Sequence, residues 1–150
     1  MKFPYQRYEV EPSPAFSSGV VHRPEVPIRL IGPTGDALFL AIVDTGADGT
    51  ILPKSIGDAI GVRLDEQESV LAAGFGGGHA DVLPGRVELE VQQGGDRHRW
   101  AATVGFVDFS SPEDEHTILG HAGFLDYFFA AFDGERHELE LVATGGLVAG

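Results

Sequence analysis

The chain predicts a mainly β fold closed into a compact barrel or sandwich. Segments of strand length recur about every 8–12 residues, separated by turn-forming residues. With 21 Gly and 9 Pro in 150 residues, the composition suits many short strands and tight turns. Only two segments read as helices, and both are short.

The elements follow in order. Residues 1–25 are rich in Pro, Ser and aromatic side chains without a clear period, and predict an irregular N-terminal arm that lies on the domain or reaches a partner. Two strands, Val26–Ile31 and Ala37–Val43, flank the turn signal Gly32-Pro33-Thr34-Gly35-Asp36. The second, Leu38-Phe39-Leu40-Ala41-Ile42-Val43, is apolar on both faces, which predicts a central strand. A short helix is expected over Pro53–Gly61: Pro starts it, Ile56 and Ile60 share a face, and Gly61 closes it. A long hairpin follows within Glu68–Val91, with arms Ser69–Ala73 and Ala80–Val91 and the tip Gly74-Phe75-Gly76-Gly77-Gly78. Gly94-Gly95-Asp96 turns the chain into a strand at His98–Val107, and a charged loop covers Ser110–Glu115. Then come Ile118-Leu119-Gly120, a short helix over His121–Tyr127, and a last hairpin of Phe128–Phe132 and His137–Val142 around Asp133-Gly134-Glu135. The domain therefore spans residues 26–142, with a flexible tail at 143–150.

Charge and composition exclude several classes. A net charge of −13 leaves little to displace counterions from phosphate, so neither nucleic acid nor an anionic membrane is an expected partner. The chain has no cysteine, which removes disulfides, thiol catalysis and thiolate metal sites. Its six histidines show no metal-ligand spacing, and no metal or cofactor is expected. Met1–Arg7 contains no apolar run of signal-peptide type, and no segment approaches the roughly 20 apolar residues of a membrane span, so a cytoplasmic location is expected.

The chemistry concentrates in Val43-Asp44-Thr45-Gly46-Ala47-Asp48-Gly49-Thr50. An acid at the end of a buried strand is costly unless its charge is used or satisfied. Gly46 permits a tight turn after it. Taken alone, the tripeptide is an Asx-turn acid as readily as a catalytic one. Asp48-Gly49-Thr50 also shares letters with the phosphatase signature Asp-x-Asp-Gly-Thr, but the nucleophile position there holds Gly46. An EF-hand beginning at Asp44 fails because Gly46 and Ser55 stand where ligands are needed. The glycines at 74–78 do not open a helix after a strand, which makes them a poor phosphate cradle.

Asp44-Thr45-Gly46-Ala47-Asp48 after an apolar strand resembles the active-site loop of retroviral-type aspartic proteases, the retropepsin-like family. The glycine-tipped hairpin resembles that family's flap. Ile118-Leu119-Gly120 resembles the apolar-apolar-Gly element beneath the catalytic loop. Across residues 26–142 the resemblance implies a closed, barrel-like acid-protease fold in which Asp44 is catalytic. It further implies that Thr45, Gly46, Ile118, Leu119 and Gly120 support the loop, and that Gly46, Ala47, Asp48, Gly76, Gly77 and Gly78 bind substrate. The family commonly has Arg after that last Gly, where it helps hold the Asp matching Asp48. Here the position is His121, which could do so as a donor.

Amide hydrolysis by two carboxylates needs one as base and one protonated. A chain with one such tripeptide must take the second from another copy, so the resemblance implies a homodimer acting on a peptide or protein substrate. The alternative is a protease-like dimeric module that binds peptides without turning them over.

Overall fold

Which strands meet is decided by where apolar side chains alternate along them. The computed structural model describes residues 1–74 and 78–147. In chain order its strands are β1 (Lys2–Pro4), β2 (Gln6–Glu9), β3 (Val20–Arg23), β4 (Glu25–Gly32), β5 (Gly35–Val43) and β6 (Ile51–Pro53). The helix α1 (Lys54–Ala59) follows, then β7 (Val70–Ala73), β8 (His79–Gln93), β9 (Asp96–Val107), β10 (Ile118–Leu119), β11 (Phe128–Asp133) and β12 (Glu138–Ala143). The fold is mainly β, as the turn-rich sequence predicts.

The main sheet runs β4-β5-β10-β6-β9-β8-β7, and β4 also pairs with β8, so six of these strands close into a barrel. Val26, Ile28 and Leu30 of β4 point into it, as do Val87, Leu89 and Val91 of β8, and none of the six is more than marginally exposed. Alternate residues of β9 (Trp100, Ala102, Val104, Phe106) complete this interior. Two-residue turns fix the register of both long hairpins. Gly32 pairs with Gly35, and Gln93 pairs with Asp96 around Gly94, whose φ is +60°. Pro27 lies in the part of β4 that β8 does not pair, where its missing N–H breaks no second ladder.

Several expectations are corrected. The first 25 residues are irregular only between Val10 and Gly19. β1 pairs with β12, burying Phe3 opposite Leu139, while β2 and β3 form a hairpin of their own. Their short lengths and the prolines between them hide the alternation. Nor is β5 buried on both faces: Leu38 and Leu40 are 71% and 42% exposed. Only Ile42 and Val43 of β5 gain β10 as a second neighbour, so the first half of the strand has β4 alone. His121–Tyr127 is not an α-helix but a turn followed by one 3₁₀ turn, Leu125–Tyr127. Gly123 at φ +93° stops helical geometry there. α1 falls where expected, capped by Pro53 and closed by Gly61 at φ +74°. Residues 144–147 return to the body: Thr144 N–H donates to Tyr127 O at 2.9 Å and Leu147 packs against the core. Residues 148–150 lie outside the described residues. Among those described, no helix is long and apolar enough to cross a membrane.

One charged group is buried in the barrel wall. Glu90 is 5% exposed and lies between two guanidinium groups, with Arg97 at 2.5 Å and Arg29 at 3.5 Å; Arg29 also reaches Asp36 at 2.8 Å. Burial pushes the Glu90 carboxyl up, but hydrogen bonding and charge from Arg97, with Arg29 behind it, leave it below the usual carboxylate value. A lowered folded-state value means stability present at neutral pH that is lost as pH falls through that value. Glu90→Gln should therefore cost about 1–3 kcal/mol at neutral pH. The gap to wild type should narrow as pH falls below the usual carboxylate range. Urea unfolding of both proteins at the two pH values measures it, and an equal gap at both would contradict the assignment.

Candidate active site

Three backbone segments meet where β5 ends. β10 is wedged between β5 and β6: Ile118 and Leu119 run parallel to Ile42 and Val43, and Ile118 pairs with Ile51 on the other side. Because β5 and β6 flank β10, the residues between them, 44–50, must pass over its end. Asp44 is the first of these residues, and its N–H donates to Leu119 O at 3.0 Å. The half-buried Asp44 carboxylate accepts Gly46 N–H through Oδ1 at 2.8 Å, and Asp44 O accepts Ala47 N–H at 3.3 Å. This is an Asx turn. It fixes one carboxylate oxygen; among the described residues, Oδ2 carries no hydrogen bond.

The turn is braced from below by the residues after β10. His121 N–H donates to Ala47 O at 3.0 Å, Ala122 N–H to Asp48 O at 2.9 Å, and Thr50 N–H to Ala122 O at 3.0 Å. Thr50 is almost fully buried, and its hydroxyl accepts Gly120 N–H at 3.3 Å. Its backbone carbonyl accepts Gly105 N–H at 2.9 Å, which ties the segment to β9. Gly120 allows all of this. A Cβ there would lie 2.2 Å from Gly49 O and 2.7 Å from Ala47 O, so only glycine lets the two segments approach.

The structure thus brings Asp44, Thr45, Gly46, Ala47 and Asp48 together with Ile118, Leu119 and Gly120. His121 is placed differently from the sequence expectation. Its Nε2 lies 2.9 Å from Thr45 O and not on Asp48. A carbonyl only accepts, so Nε2 carries the proton. Both the neutral ring with its proton on Nε2 and the imidazolium meet that need, so this brace does not require a charged histidine. The exposed Asp48 carboxylate makes no hydrogen bond or ion pair among the described residues. The exposed Thr45 hydroxyl likewise has no partner among them.

Sequence reasoning missed Thr50 and the backbone of Ala122. A hydroxyl residue inside the apolar run that follows Asp48 was a signal for the first; backbone bonds leave no signal for the second.

β7 and β8 form the expected glycine-tipped hairpin up to Ala73 and His79, and Gly74 N–H donates to Gly78 O at 2.8 Å at its neck. Gly76 and Gly77, expected to close over substrate, lie outside the described residues. The hairpin arms and the Asp44 turn share one space. Val70 and Val82 line an apolar cavity of about 230 Å³ with Gly49, Thr50, Ile51 and Ala122. A larger concavity, about 610 Å³, lies elsewhere, beside Arg29, Asp36 and Glu90. Among the described residues no cluster of three or more His, Asp or Glu could hold a metal ion.

No protein-family model matches the chain, and no curated protein matches it by sequence. Among solved structures it is similar to the EIAV protease complexed with the inhibitor HBY-793, at 20% identity and a TM-score of 0.44, over 66% of this chain and 82% of that one.

The bracing geometry makes a direct prediction. Gly120→Ala should lower stability by about 1–3 kcal/mol, the usual cost of forcing a methyl group into packed backbone. Gly134→Ala, where nothing lies within 4 Å of the new Cβ, should change it little. Chemical denaturation of the two variants separates the cases, and equal stability would show that Gly120 is not needed for the close approach.

Proposed function

We propose that the chain is an aspartic endopeptidase that works as a homodimer, each protomer supplying one Asp44. The observation that carries this reading is the Asp44 turn. A carboxylate leaves the end of a barrel strand with one oxygen held by Gly46 N–H, and β10 and the residues after it brace its backbone from below. A surface Asx turn needs no such support, whereas a carboxylate that must meet a partner within a fraction of an ångström does. The sequence resemblance of Asp44–Asp48, of the glycine-tipped hairpin and of Ile118–Gly120 points the same way.

In this reading the two Asp44 carboxyl groups face each other across a two-fold axis and share one proton. Two like charges so close do not both ionise, which divides the roles. The ionised group takes a proton from a water molecule as its oxygen bonds to the peptide carbon. The protonated group donates to the carbonyl oxygen. When the tetrahedral adduct breaks, a proton passes to the leaving nitrogen, and an acid and an amine result. Thr45, whose hydroxyl has no partner among the described residues, bonds across the axis. Gly46 and Asp48 hold the substrate main chain, and residues 76–78 close over it. Substrate is an extended peptide segment, recognised through its main chain between the Asp44 turn and the glycine-tipped hairpin.

Asp44→Asn preserves volume but removes the proton chemistry. It should abolish peptide-library cleavage while the protein stays folded and dimeric. Wild-type activity should show a bell-shaped pH dependence, should be blocked by a pepstatin-type inhibitor, and should fall on dilution together with the dimer seen by sedimentation. Turnover by the folded Asp44→Asn protein, or full specific activity in a demonstrable monomer, would overturn the proposal. A folded wild-type dimer that binds peptides without cleaving any would favour the silent binding module.

A further inference from the structure

We propose that Trp100 is a positioning residue for the Asp44 turn, acting through the carbonyl of Gly123; the proposal rests on the reading of Asp44 as catalytic. Trp100 is the only tryptophan in the chain. It stands on β9 opposite Leu89 and is 7% exposed. Its indole N–H donates to Gly123 O at 2.9 Å, a buried bond between residues 23 apart. An indole has one donor and no acceptor, so this is the only strong hydrogen bond it can make.

Packing leaves the ring little freedom to do otherwise. Phe124, Tyr127 and Phe128 surround it, with ring centroids at 5.8, 5.7 and 5.3 Å, the last edge-on. The accepting residue is equally constrained. Gly123 has φ +93°, and a Cβ there would come within 3.3 Å of both the Thr50 hydroxyl and a Val104 methyl. The Gly123 carbonyl therefore points where it does because the backbone is folded tightly over Thr50.

Gly123 belongs to the segment that braces the catalytic turn. Ala122, its neighbour, bonds Asp48 and Thr50 through its backbone, and His121 bonds Ala47 through its N–H and Thr45 through its ring. β9 thus holds this assembly at two points: Gly105 N–H to Thr50 O and the Trp100 indole to Gly123 O. The first fixes the far end of the turn, and the second fixes the segment beneath it. Loss of the second contact frees residues 121–123 to shift, and Asp44 shifts with them while the barrel stays closed.

The experiment exploits the single tryptophan. Biosynthetic replacement by β-(benzothienyl)alanine keeps the ring shape and exchanges N–H for sulfur at position 100 alone; Trp100→Phe is made beside it. Cleavage kinetics and amide hydrogen exchange are measured on the full chain. The expected result is a fall in kcat of about 10- to 100-fold with little change in KM. Faster exchange should appear at Thr50, His121 and Ala122, while protection in the β8–β9 ladder is kept. Unchanged kcat and exchange in the benzothienyl protein would overturn the proposal. So would exchange rising equally in the ladder, which is what loss of general stability produces. If wild type shows no Asp44-dependent cleavage, the catalytic reading falls, and the exchange pattern still decides whether Trp100 holds the turn.

Discussion

The structure depends on one close approach: the backbone at Gly120 passing beneath Ala47 and Gly49 with no side chain between them. β10 is only two residues long, yet it joins β5 to β6 and closes the barrel. It does so only if the chain leaving Leu119 can turn under the segment that leaves Val43. The bonds from Asp44 N–H to Leu119 O and from His121 N–H to Ala47 O record that crossing. Barrel closure and Asp44 placement therefore share this crossing. A substitution that opens the barrel here disturbs Asp44 as well, which is why the turn has a defined geometry despite its exposed Thr45 and Gly46.

Around this crossing the chain spends its few buried polar groups. The Thr50 hydroxyl and the Trp100 indole both bond to backbone in the segment Gly120–Gly123. Buried polar groups left without partners are costly, so a satisfied set specifies one arrangement of the backbone. Away from the crossing, the charged Glu90 sits in the barrel wall between Arg29 and Arg97. The outer face of the β11–β12 hairpin is different: Phe129 and Val142 face each other across it and are 64% and 49% exposed.

Much of this was legible in the sequence because period-2 alternation and turn chemistry are local. The hairpins around Gly32–Gly35 and Gly94–Gly95 were readable from glycines flanked by strand-like runs. Asp44 stood out because an acid after an apolar strand is costly unless used, whereas the link from Asp44–Asp48 to Ile118–Gly120 was implied only by their resemblance to the retropepsin-like family. What was not legible is nonlocal. Lys2–Pro4 is too short to show a period, and it becomes a strand only because β12 offers an edge and Leu139 a partner for Phe3. Leu38 and Leu40 read as interior, but whether a strand is covered on both sides depends on neighbours far along the chain. The seven residues His121–Tyr127 have helical composition, yet the left-handed Gly123 and the bond from Trp100 to its carbonyl impose a turn. His121 aims at the Thr45 carbonyl for a similar reason: the backbone crossing, not charge, brings them together.

The central claim is that one active site is built from two chains. Subunit mixing tests it most directly: wild-type and Asp44→Asn chains are combined in equal amounts, dissociated, and allowed to reassociate at random. If each site needs an Asp44 from both protomers, only the wild-type pairs are active, and about one quarter of the activity per total chain remains relative to unmixed wild type. If each chain carried a complete site, about one half would remain, and that result would contradict the account.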